Sequence, residues 1–239
     1  MALFRRRVEE PAKVATVPAG GAALPDGGSP TASSPSGAGP YDSSQVSELG
    51  PRADLGALWV PVFPGMQLRM ELDRATQQIT GVTIMMQQPE GISSLQLQAF
   101  AAPKSAGIWD EIRSEIAAGI TNSGGQVDDV PGEFGRELIA HINQGGNVRK
   151  ARFLGHDGPR WFLRGVMTGP AAADPEAAKQ LEELYRNIVV VRDNTPKPPR
   201  DLLPLSLPGQ AQKISDDPND AKAPSLDPMK RGPEIAEVR

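Results

Sequence analysis

Alternating hydrophobic and polar positions are the main pattern in the first half of the chain. The segments 66–72, 78–87 and 95–100 alternate with a period of about two, which is typical of strands with one face in a core. The apolar run 58–62 precedes them and is followed by Pro64-Gly65, a pair that favours a turn. These segments predict four antiparallel strands before the first helix.

A helix is predicted after these strands. Isoleucine recurs at every fourth position, at Ile108, Ile112, Ile116 and Ile120. Charged and polar residues lie between the isoleucines, so the segment is amphipathic with a helical period. We expect Ser105 to cap the first free amides of the helix. Gly124-Gly125 is expected to end it, because glycine accepts the left-handed conformation of a C-terminal cap.

The second half of the chain returns to strand patterns. Further strands are predicted at 134–142, 148–154 and 160–168. In the last of them, alternation is expected to place Trp161, Leu163 and Val166 on one face of the sheet. The opposite face is expected to hold Phe162, Arg164 and Met167.

A second helix is predicted from Asp174-Pro175, a capping residue followed by proline at the first helical position, to Ile188. The order of elements is then four strands, a helix, about four strands and a helix. This order indicates an α+β fold in which a mostly antiparallel sheet is packed by two main helices. It differs from the alternation of strand and helix in nucleotide-binding folds.

Composition divides the 239-residue chain into four segments. Residues 1–50 contain 7 glycines and 6 prolines and have too little large apolar surface to offset the entropy of ordering their backbone. Residues 195–239 contain 9 prolines and equal numbers of acidic and basic residues, 7 of each. We therefore predict a disordered tail at 1–50, a single domain at 51–194, a Pro/Leu-rich strap at 195–208 and a disordered tail at 209–239.

The Pro/Leu-rich strap has two interpretations. Pro198 lies in a proline-rich stretch that is able to dock on a partner in extended polyproline form. Leu203 lies among leucines that are too apolar to remain in water, which favours a strap folded back over the sheet. We favour the strap and keep the docking segment as the alternative.

Charge and composition exclude several classes of protein. The chain has a net charge of −4, and residues 51–194 hold 14 basic against 17 acidic residues, so nucleic acid is not expected as a ligand. No apolar run follows Arg5-Arg6-Arg7, and none reaches the roughly 18–20 residues of a membrane span. With no cysteine in the chain, we expect a cytoplasmic protein that has no cofactor.

Candidate chemistry is sparse. His141 and His156 are the two histidines, and neither lies in a pattern with a second catalytic group. The densest acidic cluster outside a helix is Asp128, Asp129 and Glu133, which is a candidate site for a divalent ion or for paired carboxylates. Neighbouring carboxylates on a strand point to opposite faces, so a solvated connection is the simpler interpretation of this cluster.

Arg160, Phe162 and Arg164 form the candidate binding surface. If the helices cover one face of the sheet only, the other face exposes an aromatic ring between two guanidinium groups, a composition enriched in recognition surfaces. In the alternative, Phe162 packs under the second helix and the arginines pair with Glu182 or Asp110.

Three motifs in order resemble the DUF3710 family over roughly residues 50–208. They are Leu-Gln-Leu-Gln-Ala-Phe-Ala-Ala-Pro at 95–103, Gly-Ile-Trp-Asp-Glu-Ile-Arg at 107–113 and Asp-Gly-Pro-Arg-Trp-Phe-Leu-Arg-Gly at 157–165. The resemblance implies an actinobacterial protein of unknown function and provides no catalytic residue to carry over. The element order also resembles the Mog1/PsbP-like sandwich of LpqN-type lipoproteins, which implies a binding or assembly role.

Together these features favour a non-catalytic domain that binds a protein partner of unknown identity through the exposed sheet face or the tails. The oligomeric state is not predicted. The alternative is a divalent-metal-dependent hydrolase-type enzyme that uses Asp128, Asp129 and Glu133, with His141 as a further candidate.

Overall fold

The computed structural model describes residues 39–104 and 107–209. Most of the residues predicted as tails, 1–38 and 210–239, lie outside the described residues, as does Ser105. In the described part, no helix is long and apolar enough to cross a membrane.

Eleven strands and two helices make up the described part of the chain, together with short 3-10 turns. In chain order they are β1 (Tyr41–Asp42), β2 (Arg52–Asp54), β3 (Leu58–Pro61), β4 (Met66–Leu72), β5 (Ile79–Gln88), β6 (Gly91–Ala101), α1 (Trp109–Asn122), β7 (Gln126–Gly132), β8 (Gly135–Gln144), β9 (Asn147–Gly158), β10 (Trp161–Thr168), α2 (Pro175–Arg186) and β11 (Val189–Val190). The α+β class and the two main helices are confirmed.

A seven-stranded antiparallel sheet forms the centre of the domain. Its strand order is β4-β5-β6-β10-β9-β8-β7, so the first meander and the second meet where β6 pairs with β10. A smaller sheet of order β1-β11-β3-β2 contains one parallel pair, β1 with β11.

Each face of the large sheet carries one helix. The main core forms between α2, which contributes Leu181, Leu184 and Tyr185, and one face of strands β5, β6 and β10. On the opposite face α1 contacts β7, β8 and β9. The central strand β10 is covered by α2 on one face and by α1 on the other, which is why it carries buried apolar residues such as Leu163 and Phe162 on both faces.

The predicted faces of Val166 and Met167 are wrong. Strand β10 keeps its register with β6 over all its residues, so strict alternation places Met167 in the core under α2 and Val166 under α1. Gly165 makes room for α2, because a Cβ there would lie 2.8 Å from the Tyr185 ring.

Part of the segment predicted as a tail belongs to the fold. Tyr41 and Asp42 are buried, and β1 pairs with β11. Asp42 accepts a hydrogen bond from the indole nitrogen of Trp161 at 2.7 Å. This bond satisfies the polar atom of a buried tryptophan, and composition alone does not reveal it.

The segment 200–206 lies on the domain. The amide of Arg200 donates to the carbonyl of Ala101, and the amide of Leu203 donates to the carbonyl of Ala99. Further along, the amide of Ser206 donates to the carbonyl of Leu55. Leu203 is 3% exposed and joins the main core, so these residues cover the end of β6 that β5 does not reach.

Candidate binding face

Helix α1 covers only half of its face of the large sheet. One row of cross-strand partners crosses the sheet from β8 to β4 and consists of Leu138, Phe153, Val166, Gln96, Thr83 and Arg69. Phe153 and Val166 pack in a cluster with Ile120 of α1. Beyond Val166 the row becomes polar, since Gln96, Thr83 and Arg69 lie outside the apolar clusters that α1 forms with the sheet.

The polar half of this sheet surface forms an open face. It consists of Arg69, Glu71, Thr83, Met85, Ser94, Gln96, Gln98, Arg164 and Thr168. Most of these side chains are half-buried by their neighbours on the sheet. The open face is therefore a polar surface whose side chains have limited freedom to move.

Glu71 organises the centre of the open face. Its carboxylate accepts one hydrogen bond from the Thr83 hydroxyl and one from the Gln96 amide, at 2.6 Å. Beside it, the Gln98 amide nitrogen donates to the carbonyl of Thr80 at 3.2 Å. These bonds fix the direction of each amide, so the face presents defined donors and acceptors.

Arg164 is the one charged residue of the candidate trio that lies on the open face. Its guanidinium donates to the side-chain carbonyl of Gln98 and lies 5.7 Å from the centre of the Phe100 ring. Burial lowers the pKa of Arg164, and the charge of Glu71 opposes that change. Arg164 forms no ion pair with any described residue, so most of its five donors remain available to a carboxylate.

Phe162 is buried, so it is not the exposed ring of the first interpretation, and its position also differs from the alternative. It packs under α1 rather than under α2, with its ring centroid 5.7 Å from Trp109 and 6.0 Å from Phe100. Trp109 approaches closely because β9 has glycine at position 155, where a Cβ would lie 2.2 Å from the indole. The rings of Trp109, Phe162 and Phe100 thus connect α1 to Arg164.

Arg160 is separated from this arrangement. It lies in the turn before β10 with a φ of 64° and donates to the side chain of Asn194 at 3.4 Å. The alternative pairing of these arginines with Glu182 or Asp110 does not occur either, since Glu182 binds Arg152 and Asp110 binds Arg113.

The three residues of the acidic cluster have different partners. Asp128 pairs with His141 at 2.9 Å, on one face of β7. Asp129 pairs with Arg136 at 2.8 Å and with Arg113 of α1 on the other face. Glu133 pairs with Arg186. The carboxylates diverge, and the described residues contain no group of three or more His, Cys, Asp or Glu side chains that could hold a metal ion.

The remaining candidates, His156, Pro198 and Leu203, lie away from the open face. His156 is partly buried with its ring 5.8 Å from that of Trp161. In the strap, Pro198 is exposed and its carbonyl accepts from the amide of Asp201 at 3.2 Å, whereas Leu203 is buried in the core. Leu203 is therefore not available to a partner while the strap is in place.

The alternation of apolar and polar residues in β4 to β6 partly predicts the open face. Gln96 and Gln98 occupy the polar positions between leucines, which shows that this face is not a core. The sequence does not show how much of the sheet α1 covers, because that depends on how the helix packs across the seven strands.

The described part of the chain is thus an α+β domain with a seven-stranded sheet, a helix on each face and a polar half-face left open. Over residues 39–214 the chain matches the family described as a protein of unknown function, DUF3710, and it belongs to this family. The family resemblance is confirmed. No curated protein and no solved structure matches the chain, so the Mog1/PsbP-like resemblance stays a prediction.

Proposed function

We propose that the domain is a non-catalytic binding domain whose open face holds a segment of a protein partner that presents a carboxylate to Arg164. The observation that carries the proposal is the half-buried guanidinium of Arg164, which lies over Phe100 without an ion pair among the described residues. A guanidinium that has already lost part of its hydration gains more from a new carboxylate than a fully solvated one does.

The surroundings of Arg164 support recognition rather than catalysis. Gln98 and Phe100 hold the guanidinium in place, so little entropy is lost when a partner binds. Gln96 and Thr83 are oriented by Glu71 and offer hydrogen-bonding groups beside it. Arginine is also among the residues enriched at the energetic centres of interfaces. The proposal keeps the sequence-based expectations of a cytoplasmic location and of no cofactor.

Site-specific photocrosslinking of the full chain in its native host tests the proposal. A benzophenone amino acid replaces Met85 on the open face, and the control carries it at Gln180, an exposed position on α2. We expect a defined crosslinked protein at position 85 only, and its loss in the Arg164→Gln variant but not in Arg74→Gln. Identical crosslinks at both positions, or a crosslink that Arg164→Gln leaves unchanged, would contradict the proposal.

Calorimetric titration separates this proposal from the metal-dependent hydrolase. A non-catalytic domain is expected to give no binding heat with magnesium, manganese or calcium. A heat that disappears in the Asp128→Asn variant would support the alternative, because it would show that the acidic residues converge on an ion in solution.

A further inference from the structure

A concave region lies at one end of the large sheet, away from Arg164. It has a volume of about 560 Å³ and is lined by Ile92, Ile142, Arg149, Lys150, Ala151, Thr168 and Gly169. This volume falls in the range of about 300–1,000 Å³ that small-molecule sites occupy in proteins. The cavity lies at the hairpin ends of β6, β8, β9 and β10.

The shape of the cavity depends on the sequence at one position. Gly169 has a φ of 78°, and a Cβ there would lie 2.2 Å from the carbonyl oxygen of Ile92. Only glycine therefore allows the chain after β10 to pass this close to the start of β6. The close approach holds Ile92 beside the cavity, where its side chain is 58% exposed.

The lining of the cavity combines apolar and cationic groups. Ile142 and Ala151 belong to the apolar cluster under the end of α1, and Ile92 adds a further aliphatic side chain. Arg149 provides a positive charge on the same face of β9 as Ala151 and beside Ile142, whereas Lys150, the next residue of the strand, points to the opposite face; the lining contains no acidic residue. Arg149 forms no ion pair with a residue in the described ranges, so its charge is available to a ligand.

From this complementarity we infer that the cavity is a binding site for a small aliphatic carboxylate. The aliphatic part lies against Ile92, Ile142 and Ala151, where it removes apolar surface from water. The carboxylate binds the guanidinium of Arg149, which is the cross-strand partner of Ile142. The cavity shares Thr168 with the open face but includes neither Arg164 nor the residues around it that carry the proposed function, so the two proposals can fail separately.

Isothermal titration of the full chain with sodium decanoate tests the inference. We expect saturable binding of one decanoate per chain, and no comparable binding of decyltrimethylammonium, which has the same tail and the opposite charge. Sulfate, which has charge without a tail, is expected to bind far more weakly. Arg149→Gln should weaken decanoate binding by about tenfold or more, because a bond to a charged group is lost. Arg74→Gln and Arg164→Gln should leave it unchanged.

Ile92→Asp provides a second variant, since the exposed position tolerates a polar side chain and the new charge repels the carboxylate. Binding should be abolished while the melting temperature stays close to that of the unchanged chain. Absence of saturable decanoate binding, equal binding of the cationic amphiphile, or unchanged affinity in both Arg149→Gln and Ile92→Asp would overturn the inference. Arg149-dependent sedimentation with phosphatidylglycerol vesicles in place of decanoate binding would overturn it in favour of a lipid surface.

Discussion

The carboxylate of Asp157, at the end of β9, accepts a hydrogen bond from the backbone amide of Ile108 at 2.8 Å. It also accepts one from the amide of Trp109 at 3.2 Å. Ile108 is the N-cap residue of α1 and has no side-chain acceptor of its own. Asp157 therefore satisfies two free amides and places a negative charge at the positive end of the helix dipole.

Replacement of Asp157 by alanine is expected to lower the free energy of unfolding by about 1–2 kcal/mol, the usual cost of losing a charged N-terminal cap. Asp157→Asn should cost less, because it keeps an oxygen acceptor. Urea unfolding measures both. The control is Asp110→Ala, which leaves both Asp157 hydrogen bonds in place and should cost less than Asp157→Ala.

Gly107→Ala is expected to lower the free energy of unfolding by weakening the same hydrogen bonds between Asp157 and the first amides of α1. A Cβ at this position would lie 2.3 Å from an Asp157 carboxylate oxygen, so the carboxylate must move away from the helix. When Gly107→Ala is combined with Asp157→Ala, the two losses of unfolding free energy should not add, because both substitutions remove the same interaction between Asp157 and the start of α1. Fully additive losses in urea unfolding would show that Gly107 acts independently of the cap.

Stability should depend on the titration of His156. Burial lowers the pKa of His156 below its ordinary value of 6.5, and the charge of Asp157 opposes this without reversing it. The unfolded chain therefore binds a proton at a pH where the native protein does not. Stability rises with pH between the native pKa and 6.5, and falls as the pH decreases through that interval.

Urea unfolding between pH 7.5 and 5 checks this direction. The free energy of unfolding should decrease as the pH falls below about 6.5, and His156→Gln should flatten the decrease. In His141→Gln, which leaves His156 in place, the decrease should persist. The same slope in His156→Gln and the unchanged chain would show that other groups are responsible.

Local patterns predicted the two helices and the strands β3 to β6 and β8 to β10, but they did not locate β1, β2 or β7, and long-range contacts decided the rest. The isoleucine period located α1, and alternation located the strands, because both depend on residues close in sequence. The acceptor that caps α1 lies 49 residues away from Ile108, so no local pattern could reveal it. Similarly, the buried state of Phe162 depends on Trp109 and Gly155, which come from two other elements.

A buried charge network joins α2 to the sheet, and no local sequence pattern predicts it. Arg152 binds Glu137 and Glu182, each at 2.6 Å, and Glu137 is 1% exposed. Burial by itself lowers the pKa of Arg152, but hydrogen bonds and charge from Glu137 and Glu182 outweigh it, so the pKa is raised. One arginine thus compensates two carboxylates from different elements.

Arg152→Met is expected to lower the free energy of unfolding by about 3–5 kcal/mol, because it leaves Glu137 buried without its cation. Adding Glu137→Gln should recover part of the loss, since the double variant no longer buries an uncompensated charge. A double-mutant cycle in urea measures this coupling. Arg136→Met, which removes an exposed cation paired with Asp129, is the control and should change stability by less than about 1 kcal/mol. Independent, additive effects at residues 152 and 137 would contradict the expected coupling.

The strap offers a comparison between two adjacent leucines. Leu203 is 3% exposed in the main core, and Leu202 is 36% exposed. Leu203→Ala is expected to destabilise the protein by about 2–3 kcal/mol, because it removes buried apolar surface and leaves a cavity. Leu202→Ala, the control, should cost less than about 1 kcal/mol.

Amide hydrogen exchange shows whether this destabilisation comes from the strap itself. The amide of Leu203 donates to the carbonyl of Ala99 at 2.9 Å, and the amide of Ala101 donates to the carbonyl of Asp201 at 2.8 Å. If Leu203 anchors the strap, Leu203→Ala should speed exchange at both amides more than at the centre of β10, because the strap opens without unfolding the sheet. Equal acceleration throughout the domain would mean that the strap and the sheet unfold as one unit. Local opening would release the strap, including Pro198, from the end of β6. The strap could then dock on a partner, as the alternative interpretation of this segment requires.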